Sequence, residues 1–135
     1  MRKYSDLCPV DAAPQLQFDL PGLDYPERLN AVETVLEGAI QSGWSDRPAF
    51  YTNETTITFD QVRRDVHKYA AGFRTLGIDK GDAVILRLPD SIEMVCAVLA
   101  VQAIGGIAVP TYVQLRSQEL IYRAEDSDAK LILVS

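Results

Sequence analysis

Ala83-Val84-Ile85-Leu86, then Ser91 to Ile104, then Gly106-Ile107-Ala108-Val109-Pro110: these neighbouring stretches decide the fold. The opening run is apolar without alternation, which suits a strand buried on both faces. Asp90 and Glu93 are placed to cap the helix Ser91 to Ile104, which is apolar nearly all round and should be deeply buried. A short strand, Gly106 to Pro110, follows it. Further on, Ser117 opens another helix with Glu119 in its favourable first turn, and Lys130 to Val134 forms a closing strand. Strand, helix, strand, helix, strand on short links is the pattern of crossovers onto a largely parallel sheet, so the fold class is α/β.

Upstream, the pattern changes. Thr58 and Gln61 form a capping box for a helix whose apolar stripe is Phe59, Val62, Val66, Tyr69, Ala70, Phe73 and Leu76. Gly77 supplies its left-handed stop, with Ile78 placed to touch Phe73. Before it, Ala49–Thr52 and Thr55–Thr58 read as a hairpin about Asn53-Glu54, a weak turn pair because Glu is uncomfortable at positive φ. Asn30 and Glu33 make a further capping box, followed by a stripe of Ala31, Val32, Val35, Leu36, Ala39 and Ile40 that Gly43 ends. Residues 1–29 form an irregular leading segment with Pro9, Pro14, Pro21 and Pro26, and residues 30–135 form one incomplete subdomain.

Composition excludes several functions. With 47% apolar and 24% charged residues the chain is too apolar for disorder. A net charge of −6 argues against nucleic acid as a partner, because neutralising phosphates takes a concentrated basic surface. The two cysteines, Cys8 and Cys96, make neither a disulfide framework nor a metal-ligand spacing, which fits a reducing cytoplasm. Met94 to Val113 carries no charge and is long enough to span a bilayer, but Gly105, Gly106 and Pro110 interrupt it, so no membrane span is expected. The first residues are basic with no apolar stretch behind them, unlike a secretion signal.

Candidate chemical groups are few. A phosphate-binding α/β fold usually carries a Gly-rich turn between strand and helix, where backbone N–H groups and the helix dipole meet the anion. Here Leu88-Pro89-Asp90-Ser91 occupies that place, and its carboxylate would repel phosphate. Gly105-Gly106 lies at a helix end, on the wrong side of the dipole. His67, the one histidine, falls about 120° from the apolar stripe and reads as a solvated surface group. Arg63, Arg64, His67, Lys68 and Arg74 share that side; an anion site there is less favoured than a solvated face. Asp79, Lys80 and Asp82 surround Gly81 in a polar turn, Met94 and Cys96 are core residues, and Asp11, Asp19 and Asp24 are too scattered for a metal site. No catalytic, cofactor-binding or metal-binding residue is assigned.

Three motifs in order nevertheless carry a resemblance. Ile57-Thr58-Phe59-Asp60-Gln61-Val62, Gly77-Ile78-Asp79-Lys80-Gly81-Asp82-Ala83-Val84 and Ala100 to Pro110 are similar to successive elements of the adenylate-forming superfamily, which includes acyl-CoA synthetases. Phe18-Asp19-Leu20-Pro21, Tyr25 to Ala31 and Gly43 to Ala49 look most like benzoate- and 2-aminobenzoate-CoA ligases. The resemblance implies the beginning of the large amino-terminal domain of such an enzyme. In the whole enzyme a carboxylate attacks the α-phosphate of ATP–Mg²⁺, releasing pyrophosphate, and the thiol of coenzyme A then displaces AMP. The family's phosphate loop and catalytic lysine would lie beyond Ser135. The chain alone is therefore expected to be inactive, to bind none of ATP, Mg²⁺ or coenzyme A, and to show an apolar face where the remainder of its ligase domain would sit. Two alternatives stand beside this: a free-standing, non-catalytic interaction module, and a flavodoxin-like domain binding a small ligand at the strands' carboxyl ends.

Overall fold

The computed structural model describes Asp19, Leu20, Pro26 and residues 28–135. Most of the leading segment, with Cys8, Asp11, Asp24 and the motifs around Phe18 and Tyr25, lies largely outside the described residues. The chain builds a π-helical turn, Glu33–Glu37, leading into α1, Gly38–Gln41. The hairpin β1, Pro48–Tyr51, and β2, Thr56–Thr58, leads into α2, Phe59–Thr75. Then come β3, Ala83–Arg87, α3, Ile92–Ala103, β4, Ile107–Pro110, α4, Ser117–Ser127, and β5, Ala129–Val134.

β3 is the central strand of a three-stranded sheet in the order β4-β3-β5, parallel on both sides. Its central position explains the unbroken apolar run, since Val84, Ile85 and Leu86 are fully buried. Val84 and Leu86 face the main core with Val62, Val66, Phe73, Cys96, Ala97, Ala100 and Val101, which α2 and α3 bring to that side. Burying a Val or Leu side chain contributes roughly 1.5–3 kcal/mol, so this two-helix layer on one sheet face holds the unit together. β5 alternates half-buried and exposed: Leu131 and Leu133 join the core, while Ile132 and Val134 face away.

Helix ends match their sequence signals. Gln61 N donates to Thr58 Oγ1 at 3.3 Å and Thr58 N to Gln61 Oε1 at 2.8 Å, the reciprocal box expected for α2. At the other end Gly77 has φ of 81°, Ile78 N donates to the Phe73 carbonyl at 3.0 Å, and Ile78 is buried. Gly105 and Gly106 close α3 in the same way, donating to the carbonyls of Gln102 and Val101 at 2.9 and 2.8 Å. Gly106 also answers a close approach, because a Cβ there would sit 2.9 Å from Val101 Cγ1.

Several expectations are corrected. Ser91, not Asp90, caps α3, accepting from Met94 N at 3.4 Å. Asn30 does cap its helix, accepting from Val32 N at 3.0 Å and from Glu33 N at 3.4 Å, but the Glu33 carboxylate does not complete the box by accepting from Asn30 N, and the Asn30 amide donates to the carbonyl of Ala103. The turns behind it are π-wound because Gly38 N reaches the carbonyl of Glu33, five residues back. The hydroxyl of Thr34 also donates to the Asn30 carbonyl, at 3.3 Å, beside the ordinary bond from Thr34 N at 3.1 Å. The stripe is thereby narrowed to Val32, Leu36 and Ala39, and Val35 is exposed. Leu76, expected in the buried stripe of α2, is 65% exposed at the helix's last turn. The hairpin forms although Asn53-Glu54 suits no positive-φ turn, for neither residue has positive φ. Thr52 Oγ1 accepts instead from Glu54 N and Thr55 N, at 3.3 and 3.0 Å.

Candidate functional site

In open α/β sheets ligands settle outside the carboxyl ends of the strands. A crevice of about 490 Å³ lies there, between the segment leaving β3, with Leu88, Pro89 and Asp90, and the segment leaving β4, with Thr111, Tyr112 and Gln114. Met94 of α3 forms part of its lining. Thr111 anchors the β4 side: its N–H and its hydroxyl both donate to the Leu86 carbonyl, at 2.9 and 3.3 Å. Asp90 is the one charged residue of the lining.

The helix starts decide what this crevice can hold. A phosphate needs free N–H groups at a helix N-terminus. At α2, Phe59 N and Asp60 N donate to the carbonyls of Arg47 and Ser45, both at 3.1 Å, and Thr58 takes the third donor. The Trp44–Arg47 turn that provides those carbonyls is itself stacked, with the Arg47 guanidinium 5.0 Å from the Trp44 ring and Trp44 edge-on to Phe59. At α3 the Glu93 carboxyl is held below its ordinary range by the Ser91 side chain and by its own backbone N–H, so an acid already occupies that end. At α4 the Glu119 carboxylate accepts from Arg116 N at 2.8 Å. Each of these three helix starts thus carries an acid of the chain itself in its first turn, Asp60, Glu93 or Glu119. With Asp90 before the start of α3, the described residues do not fit ATP–Mg²⁺.

The cations on the basic side of α2 are mostly paired within the helix, with Arg74 exposed in its last turn. Arg63 and Arg64 pair with Asp60 at 3.0 and 3.3 Å, and Lys68 pairs with Asp65 at 3.0 Å. His67, expected to be merely solvated, meets Glu37 at 3.0 Å across to the π-helical turn while remaining exposed. Sequence spacing along α2 could not show that partner, which comes from 30 residues away. Asp82 accepts from Asp79 N and from Lys130 Nζ, both at 2.8 Å, so the polar turn also fastens β5 to the entry of β3. Cys96 is buried, and its thiol is pushed up to about 11, chiefly by burial and then by Asp65 and Glu93. It is a core group, as expected, with no thiolate at neutral pH. Met94 is only half-buried. Among the described residues no cluster of His, Cys, Asp or Glu could hold a metal, and no helix is long and apolar enough to cross a membrane.

The arrangement is thus a short parallel sheet, helices with self-satisfied starts, and glycine-closed turns at set places. The family model of AMP-binding enzymes matches residues 39–135. The chain belongs to that family. Among the curated relatives of this AMP-binding chain, a 3-hydroxybenzoate/4-hydroxybenzoate–CoA ligase of Thauera aromatica is 27% identical over 83% of the chain and 21% of the relative. A p-hydroxybenzoic acid–AMP ligase of Mycobacterium marinum is 30% identical over 78% of the chain and 15% of the relative. An anthranilate CoA ligase, solved in complex with anthranoyl-AMP, superposes with a TM-score of 0.75 at 29% identity, covering 82% of this chain and 21% of that one. The N-terminal domain of FACL13 from Mycobacterium tuberculosis superposes with a TM-score of 0.67 at 27% identity, covering 75% and 26%. The chain spans about a fifth of the length of the first of these relatives. The likeness confirms the fold class and the superfamily resemblance, and places the matching region in the amino-terminal part of these enzymes.

Proposed function

We propose that the chain is the amino-terminal scaffold of a ligase that activates an aromatic carboxylic acid with ATP and passes the acyl group to coenzyme A. What carries this reading is the family match combined with the relatives' printed activities on hydroxybenzoates and anthranilate. The closed helix starts and the acidic crevice support assigning no catalytic, cofactor-binding or metal-binding residue to residues 30–135. ATP, Mg²⁺ and coenzyme A are then held by the remainder of the ligase domain, in a reducing cytoplasm where Cys96 stays a thiol.

The test is ATP–pyrophosphate exchange with benzoate, 2-aminobenzoate, 4-hydroxybenzoate and acetate. It is run on the chain alone and on a hybrid in which the chain replaces the matching amino-terminal part of the Thauera ligase. The chain alone should exchange nothing, and the hybrid should exchange with the aromatic acids. Exchange by the chain alone would overturn the scaffold assignment. A folded hybrid without exchange would favour the interaction-module reading. Saturable binding of a flavin nucleotide to the chain would favour the flavodoxin-like one.

A further inference from the structure

Arg87 ends the central strand β3, paired in register with Val134 of β5. Its Nη2 donates to the carbonyl of Val113 and, at 3.4 Å, to that of Leu115. These carbonyls belong to the loop between β4 and α4. The two walls of the crevice are therefore joined through one side chain: Leu88, Pro89 and Asp90 follow Arg87 directly, and Pro110 to Gln114 run up to the carbonyls it holds. Thr111 ties the start of the same loop to Leu86, so the loop is fastened at both ends to successive parts of β3. Between those fastenings its one backbone bond is Leu115 N to the Tyr112 carbonyl, at 3.2 Å.

Burial sets Arg87 apart from most of the ordered cations. Of the two half-buried arginines among the described residues, Arg63 meets the Asp60 carboxylate, whereas no acid pairs with Arg87. Its Nε is buried without a hydrogen-bond partner. A half-buried cation spent on neutral carbonyls, with one donor unmet, is a poor device for stability alone, because an apolar side chain of equal volume would avoid the desolvation cost. It is a good device for geometry. A planar guanidinium holds two acceptors at a set spacing, which a lysine ammonium on its flexible stem does not.

We infer that Arg87 is the positioning residue of this crevice, clasping the β4–α4 loop so that its walls keep their separation. The inference goes beyond the ligase reading and stands whether or not that reading does, so the test uses no ligase activity. In ¹⁵N-labelled chain, the Arg87 Nη protons should give resolved, slowly exchanging resonances; a single averaged guanidinium signal would overturn the inference. Hydrogen exchange then compares Arg87→Met, which keeps the volume, and Arg87→Lys, which keeps the charge, with the parent. Amides of Tyr112 to Arg116 should exchange roughly tenfold faster in both variants, while those of α2 and α3 keep their protection. Rescue by Met or by Lys, or acceleration spread evenly over the chain, would reduce Arg87 to a filler or a surface charge. Should Arg87→Met fail to fold, Arg87→Lys and the resonance measurement still decide.

Discussion

Gly106 shows at a single residue what the packing demands. Its φ is ordinary, yet an added Cβ would meet Val101 Cγ1 at 2.9 Å, the Val101 carbonyl at 3.1 Å and that of Asp82 at 3.2 Å. Two of these are backbone atoms that cannot step aside. Gly106→Ala should therefore cost about 1–3 kcal/mol in urea unfolding, with little change in the slope of the transition. The Cys96 thiol makes a second prediction at this scale. Since burial raises it to about 11, a disulfide reagent at pH 8 should react with Cys96 in a Cys8→Ala background only as fast as the chain opens. Fast reaction in the folded state would contradict the packing around α3. The Asp82–Lys130 pair makes a third. Hydrogen bonding by Lys130, then by Asp79 N–H, lowers the Asp82 carboxyl, and the bond to Asp82 raises the Lys130 ammonium. A lowered acid stabilises the fold above its unfolded pKa and loses that contribution as pH falls through the folded value. A raised base stabilises below its unfolded pKa and loses that contribution as pH rises through the folded value. Lys130→Met should thus lower the melting temperature slightly at neutral pH and not at all near pH 2.

At the scale of elements, α2 owes its start to a box that local sequence could announce and to a turn that it could not. Thr58 and Gln61 are three residues apart, so the spacing alone implies their mutual bonds. The carbonyls of Ser45 and Arg47 that serve Asp60 N and Phe59 N come from before the hairpin, and only its closure brings them near. Thr58→Ala should cost about 1 kcal/mol, read as a lower melting temperature, since it removes the acceptor of Gln61 N and leaves that donor unmet. The same division separates the caps of α3. Asp90 and Ser91 are both acceptable capping residues by type, and the choice fell to Ser91 because its φ of −150° and ψ of 168° place its hydroxyl over the first turn. The π-winding over Glu33–Glu37 was equally hidden, since no apolar spacing marks a carbonyl that accepts from five residues on rather than four.

For the whole molecule, the open apolar surface is the main consequence. Tyr112, Ile121, Tyr122, Ile132 and Val134 are exposed, α4 buries no residue fully, and Tyr69, Phe73 and Leu76 of α2 line an apolar groove with Leu133 of β5. Such an area favours association, and β5 is an edge strand among the described residues. The purified chain should bind an apolar dye and scatter light as dimers or larger species at micromolar concentration. Val134→Lys should reduce that scattering without lowering the melting temperature, because Val134 touches no core; a clean monomer that binds no dye would contradict the exposure described.

The sequence by itself determined the α/β class, the parallel crossovers, the Gly77 and Gly105 endings and the absence of a strand-to-helix glycine cradle. Each of those depends on residues within a few positions of one another, where steric and hydrogen-bonding rules act directly. Only the tertiary structure decided that Glu37 partners His67, that Asp82 holds Lys130, and that Arg87 joins two loops 26 residues apart. The first follows from the packing of the π-helical turn against α2 and the other two from the strand order β4-β3-β5, and no local periodicity encodes which distant side chain will be met.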